Sequence, residues 1–369
     1  MHSLVLQRRW MFFLGRPIYR RFSLSRLVVV PGLVLVLLLL TLPLRTWAAD
    51  TVPVAFYYKD WSLQCDNTRT CRAVGYQKDA GDSEPVSIRL TREAGPHTPV
   101  LVDLKVSDEK TSPASLQLTV GKLQITGLNG EVARVPASQV QPLLQELLKN
   151  DETSVTAGAY RWTLSLAGVN AVLLKMDEAQ GRVGTPGALV QRGKQPEATV
   201  LPAVSPPLVD IVRPLPARTG YAELARPLQG AIDAKEVAKR CNGDPPQLAD
   251  VHVHRLTDHK LLLSIPCSMG AYNFGGLHWL VNDRPPFQLQ LIDANGEYDA
   301  DTGVIRSSMK GRGLGDCWLF REWQFDGHNF ALTGKSGDDM CRGFAGGAWH
   351  LPMLVSKVVS PANPVSRKP

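Results

Sequence analysis

The sequence predicts a β-rich α+β fold of two antiparallel-sheet modules with a few short helices, joined by a proline-rich linker. Short alternating apolar stretches bounded by Gly, Asn and Asp recur along the chain, as strands and turns require. Apolar positions at helical spacing are confined to a few short windows. Pro186, Pro196, Pro202, Pro206, Pro207, Pro214 and Pro216 crowd a stretch with few periodic apolar positions, which marks a linker at 181–219. The expected layout is a signal peptide at 1–48, a first β-rich domain at 54–180, a second at 220–358 and a disordered tail at 359–369.

In the first domain, Phe56 to Gln64 reads as a strand leading to Cys65, and Asp66-Asn67 as a turn toward Cys71. Further strands are expected at Val86 to Leu90, Leu101 to Val106, Ser115 to Val120 and Leu123 to Ile125. Ser138 with Gln141 three residues on forms a capping-box pattern, and Val140, Leu143, Leu144, Leu147 and Leu148 follow as a helical stripe. Pro142 falls in that helix's first turn, where a missing N–H costs least. Trp162, Leu164 and Leu166 alternate as a strand, and Asn170 is placed to cap a helix that stops at Gly181.

The second domain opens with a helical piece from Asp233 to Cys241. Strands at Val251 to Leu256 and Lys260 to Pro266 flank the turn Thr257-Asp258-His259; others are expected at Leu277 to Val281 and Phe287 to Ile292. Asp293-Ala294-Asn295-Gly296 offers an Asn-Gly turn. The clearest hairpin is Trp323 and Phe325, then Asp326-Gly327, then Phe330 and Leu332.

The first 49 residues hold Arg8, Arg9, Arg16, Arg20, Arg21, Arg26 and Arg45 and no acidic residue, and an apolar run from Leu27 to Leu44 precedes Ala48 and Ala49. That is a secretory leader, with cleavage after Ala48 and Thr46 at the −3 position. An uncleaved inner-membrane anchor is the alternative, because the run reaches about the 18 residues a span needs. The remaining chain faces the periplasm under either reading. Gln7, Trp10 and Met11 do not fit a twin-arginine signal. The whole chain has 41 basic and 34 acidic residues, so removing the seven leader arginines leaves 34 against 34. The neutral exported part gives no electrostatic case for nucleic acid.

Six cysteines, all beyond the leader, read as a disulfide framework. Spacing favours neighbours in order: Cys65 with Cys71, Cys241 with Cys267, Cys317 with Cys341. Only the first pair is close enough for zinc-type spacing, and no C-x-x-C is present.

The sequence resembles the bacterial family catalogued as domain of unknown function 1176, whose members are exported and carry six cysteines. The resemblance rests on Cys65-Asp66-Asn67-Thr68-Arg69-Thr70-Cys71-Arg72-Ala73-Val74-Gly75 and on Met176-Asp177-Glu178-Ala179-Gln180-Gly181-Arg182-Val183-Gly184-Thr185. Gly270-Ala271-Tyr272-Asn273-Phe274, Lys310-Gly311-Arg312-Gly313-Leu314-Gly315-Asp316-Cys317 and Cys341-Arg342-Gly343 continue it. Pro186-Gly187 departs from the pattern. The first domain is also distantly similar to the invasion-associated locus B proteins, through Trp61 four residues before Cys65 and through Ser165-Leu166-Ala167-Gly168. The resemblance implies a compartment and a cysteine framework, and carries no activity.

Candidate sites are few. His252 and His254 share a strand face, with His259 in the adjoining turn; Asp293, Asn295, Glu297, Asp299 and Asp301 gather oxygen donors without EF-hand spacing. Solvated strand positions and acidic turn residues account for both. Asp177, Glu178 and Arg182 read as local ion pairs at a helix end. Lys310, Arg312, Gly313 and Asp316 form the preferred binding loop, where glycines let a backbone approach an anion beside two cations. His278, Trp279 and Asp283 complete no triad, and no G-x-S-x-G appears. No catalytic, cofactor-binding or metal residue is assigned.

The expected function is a non-enzymatic binding or structural module of the cell envelope, its partner another envelope protein or a cell-wall component. A hydrolase of envelope material with its site between the two domains is the alternative, and an exposed edge strand would mark a purely structural role.

Overall fold

The computed structural model of the chain describes residues 53–79, 84–107, 115–241, 250–268, 270–338 and 340–359. The expected leader at 1–48 and residues 360–369 lie outside them. Strands dominate, in antiparallel sheets with four short α-helices among the described residues. No helix among these residues is long and apolar enough to cross a membrane.

In the first half, β1 (Val54–Tyr58), β2 (Trp61–Cys65), β3 (Cys71–Tyr76), β4 (Val86–Arg92), β5 (Val100–Val106) and β8 (Ala133–Arg134) lie side by side in that order. A four-stranded sheet runs β10 (Tyr160–Ser165), β9 (Glu152–Ala157), β6 (Leu116–Val120), β7 (Leu123–Leu128). Helix α1 (Ala137–Leu147) packs on β5, β6 and β7, and α2 (Val169–Ala179) packs on β1, β2 and β3. Their shared core includes Trp61, Leu63, Ile88, Leu104, Leu118, Leu143, Leu164 and Leu173, each worth about 1.5–3 kcal/mol relative to exposure. Trp61 is fully buried and donates its indole N–H to the Ser165 carbonyl at 2.9 Å, joining the two sheets. Gly75 stands opposite it in the β2–β3 register, where a Cβ would meet the ring at 2.3 Å.

Several local readings change. Phe56 to Gln64 is two strands, because Lys59 adopts φ 55° and folds the segment into a hairpin. The capping box does not form: Pro136 is the N-cap, with no side-chain cap bond, and Ser138 and Pro142 lie inside α1. Gly168, at φ 107°, caps α2 in place of Asn170, whose amide donates to the Leu148 carbonyl. Gly168 is required there, since a Cβ would lie 2.1 Å from the Tyr58 carbonyl oxygen.

The segment from 181 onward packs on the first sheet. Arg182 and Thr185 are buried, and the Val204 N–H donates to the Thr68 carbonyl. Farther on, β11 (Leu208–Asp210) pairs in parallel with β20 (Lys357–Val359) at the far end of the chain.

The second half is an eight-stranded meander in which every strand pairs with its sequence neighbour. It runs β12 (His252–Arg255), β13 (Lys260–Ser268), β14 (Phe274–Asn282), β15 (Gln290–Asp299), β16 (Val304–Lys310), β17 (Trp318–Phe325), β18 (Phe330–Gly337), β19 (Leu351–Val355). Alternation decides its two cores. Leu261, Leu263, Ile265, Leu277, Trp279 and Val281 meet helices α3 (Ala225–Ala231) and α4 (Ala234–Arg240) through Leu228 and Val237. Leu262 and Leu280 turn the other way, toward Ala294, Ile305, Trp323, Phe325 and Phe330. Asp233 caps α4, accepting from the Lys235 N–H at 2.9 Å. Asn295-Gly296 is not a turn: it lies within β15, and Gly296 fits because a Cβ there would touch the Arg306 carbonyl oxygen at 2.2 Å. Disulfides join Cys65 to Cys71, Cys241 to Cys267 and Cys317 to Cys341, the last closing the ends of the β17–β18 hairpin.

His278 is buried between two partners, Ser264 Oγ at 2.8 Å from Nδ1 and the Gly296 carbonyl at 2.9 Å from Nε2. Burial pushes its pKa down to about 4, against the pull of that carbonyl.

Gly75→Ala is expected to cost about 1–3 kcal/mol of unfolding free energy in denaturant titration, by forcing a methyl into the Trp61 ring. For His278, the unfolded chain takes up a proton near pH 6.5 that the folded chain refuses until about 4. Stability should therefore fall as pH drops through that window, and His278→Gln should flatten the fall in melts taken across it.

Candidate functional site

Residues 340–350, beyond the end of β18, lie against the first sheet and lead into β19. Val74 and Tyr76 of β3 pack with Phe344, Ala348, Trp349 and Leu351. Polar contacts surround that apolar seam. Tyr76 donates its hydroxyl to Asp338 Oδ1 at 2.7 Å, and Trp349 donates its indole N–H to Ser87 Oγ at 2.7 Å. Arg89 lies 4.3 Å above the Trp349 ring and pairs with Asp103 at 2.8 Å. Arg342 donates to the Gln77 carbonyl at 3.0 Å and pairs with Asp60 at 3.2 Å. Asn67 imitates a backbone partner: its amide donates to the Val355 carbonyl at 2.9 Å while its carbonyl accepts the Val355 N–H at 2.8 Å. Asp338 also accepts from the N–H groups of Ala348 and Trp349; burial pushes its carboxyl up, and these bonds oppose the shift.

Beside this seam opens a cleft of about 680 Å³, to which the first half contributes Lys105 and the second half β16 to β19 and residues 346–350. Its lining carries Lys105, Arg306, Arg321 and Lys335 against a single carboxylate, Glu322. Lys105 and Arg306 have acidic partners, Glu131 at 3.3 Å and Asp299 at 3.1 Å. Arg321 and Lys335 have none among the described residues, and they stand directly opposite each other in the β17–β18 register. Like charges in that position destabilise a sheet. The next register partner, across β16, is Ser307, 3% exposed, whose hydroxyl has no hydrogen-bond partner. Two cations and an unsatisfied hydroxyl thus share one row across three strands, an arrangement an anion would satisfy.

The same lining holds a hydrogen bond between Ser336 Oγ and His350 Nε2, with the Phe320 ring edge-on to His350 at 5.1 Å. Partial burial lowers the His350 pKa, which favours the neutral ring.

The sequence-derived candidates lie elsewhere. Of Lys310, Arg312, Gly313 and Asp316, none lines the cleft, and Arg312 and Asp316 contact each other. Arg312 donates to both Asp316 oxygens and to the Cys341 carbonyl, and Asp316, 1% exposed, accepts the Gly343 N–H. That guanidinium serves to seat the loop on the third disulfide. Lys310 Nζ sits 5.3 Å over Trp318. Asp316, Cys317 and Cys341 bring three ligand-type atoms within 4.8 Å, yet both sulfurs are in a disulfide and offer no thiolate. His252 and His254 have ring centroids 6.5 Å apart, while His259 is turned toward Asp283 at 3.9 Å. Asp299 accepts the N–H groups of Asp301 and Thr302 and the Thr302 hydroxyl, closing the β15–β16 turn. Asp177 is buried, accepting from the Leu189 and Val190 N–H groups, and Glu178 pairs with Lys175 on the surface.

Residues 55–356, from β1 through β19 and the whole cleft, match the model of a family described as Protein of unknown function (DUF1176). The chain belongs to that family. By sequence the chain is similar to the uncharacterized protein YpfG of Escherichia coli (strain K12), with 29% identity over a 334-position alignment that covers 83% of this chain and 92% of that protein. A crystal structure of invasion associated protein b from Bartonella henselae, 17% identical, matches 35% of the DUF1176 chain and 99% of its own, with a TM-score of 0.28.

Arg342→Ala is expected to destabilise this DUF1176 protein by about 2–4 kcal/mol in equilibrium unfolding, because it strands the Gln77 carbonyl and Asp60 inside the seam.

Proposed function

We propose that this chain is an exported protein of the cell envelope that acts by binding an anionic envelope component in the cleft beside the seam. The opposed, unpaired Arg321 and Lys335 carry the reading, because a row that costs the sheet stability is understandable where a ligand supplies the missing negative charge. The acid-free basic segment and the apolar run before Ala48 support export, and three disulfides with no free cysteine suit an oxidising compartment. A carboxylate- or phosphate-bearing cell-wall polymer fits the lining. Hydrolysis of such material is a second reading, favoured by Ser336 and His350, since a neutral imidazole on a serine hydroxyl can accept its proton.

Intact mass of the protein from an osmotic-shock fraction should lack the first 48 residues and show no alkylated thiols. In co-sedimentation with purified peptidoglycan sacculi, Lys335→Glu should reduce binding about tenfold while raising stability by about 0.2–1 kcal/mol through a new cross-strand pair with Arg321. Unchanged binding by this variant refutes the site. Labelling by a fluorophosphonate probe that Ser336→Ala abolishes would move the assignment to hydrolysis.

A further inference from the structure

A second cavity, of about 570 Å³, opens on the first half between β5, the start of α1 and residues 186–192. Its walls are largely apolar, with Val100, Leu101, Val140, Leu144 and Leu189 prominent. Its charged groups are all of one sign: Arg92, Arg134 and Arg192 line it, and no Asp or Glu does.

Arg92 is the informative member. It is 6% exposed, with Nε donating to the Thr98 carbonyl at 3.1 Å and Nη1 to the Gly187 carbonyl at 2.8 Å. These two bonds fix the guanidinium plane, and Nη2 has no hydrogen-bond partner among the described residues. The nearest carboxylate oxygen, Asp177 Oδ1, stands 4.0 Å from Nη1, too far for a hydrogen bond, while Oδ2 of the same group takes the Leu189 and Val190 N–H groups. Burial, reinforced by Arg182, lowers the Arg92 pKa to about 10, so the cation persists at neutral pH but is under-compensated. The α1 terminus beside it has no acidic residue in its first turn and no side-chain cap, so its free N–H groups add potential of the same sign.

A fixed, largely buried cation under apolar walls selects against both neutral lipids and small hydrophilic anions. A cavity of this volume lies within the range that encloses a small ligand. We propose that it is a binding site for a fatty carboxylate, with the head group on Arg92 and the hydrocarbon chain along Val100, Leu101, Val140 and Leu144. This site is separate from the cleft at Arg321 and Lys335, and neither reading depends on the other.

The test is isothermal titration calorimetry on the disulfide-bonded exported chain with dodecanoate below its micellar concentration, and with acetate and dodecyl maltoside as comparisons. Dodecanoate should bind at one site per chain, at least about tenfold more tightly than either comparison, since only it offers both a charge-assisted bond and a buried chain. Two substitutions at exposed lining positions spare the fold. Gln141→Glu places a like charge beside the head group, and Leu101→Trp, at a residue 42% exposed, fills the mouth. Each should weaken dodecanoate about tenfold or more at unchanged melting temperature. Absence of binding, maltoside binding as tight as dodecanoate, or dodecanoate binding that both variants leave intact would each overturn the proposal.

Discussion

The packing of Asp338 and residues 340–350 on the first sheet is the constraint on which the rest of the structure depends. Neither half alone buries Val74, Tyr76, Phe344, Trp349 and Leu351; they are covered only where the two meet. Around them polar groups find partners across the seam, Tyr76 with Asp338, Trp349 with Ser87, Arg342 with Gln77 and Asp60. A seam with an apolar centre and satisfied polar margins is stiff, because sliding it would strand several buried donors at once. The cleft inherits that stiffness: Lys105 on one side and the β16–β19 surface on the other are held where they are by the seam, to which β19 contributes Leu351 and Val355.

The disulfides do a different job. Each clamps a local piece: the β2–β3 hairpin, the end of α4 to β13, and the base of the β17–β18 hairpin. None spans the seam, so covalent closure fixes the units and non-covalent packing fixes their relation. The pair of exposed Arg312 with buried Asp316 belongs to the third clamp, where it orients the glycine-rich loop against Cys341.

Much of the fold was legible because its signals are local. The Asp326-Gly327 hairpin, the stripe on α1 and the helical piece opening at Asp233 depend on residues a few positions apart, and each cysteine pairs with its neighbour along the chain. Asn295-Gly296 misled because a glycine that suits a turn equally suits a tight inter-strand approach, and only the distant Arg306 carbonyl tells them apart. The site was not legible, for a reason of register. Counting outward from Phe325 opposite Phe330 sets Arg321 against Gly334, but the strands slip between Glu322 and Trp323, bringing Lys335 opposite instead. That irregularity creates the unpaired row, and nothing in the local sequence announces it. His350 and Ser336 lie 14 residues apart and meet only because the intervening segment travels to the first sheet and back.

The meander has a consequence for how the chain is made. Synthesis proceeds from the N-terminus, and the first sheet can assemble from residues close together in sequence well before position 340 exists. Until then the patch at Val74 and Tyr76 faces water with its cover not yet synthesised, while the successive hairpins of the second half zip one onto the next. The last strands to emerge are the ones that close both halves, so the nascent protein carries this uncovered apolar patch from the synthesis of Tyr76 until Phe344 and Trp349 arrive. A holdase that shields apolar β-surface during that interval would matter more to its yield than any helper acting on the finished molecule.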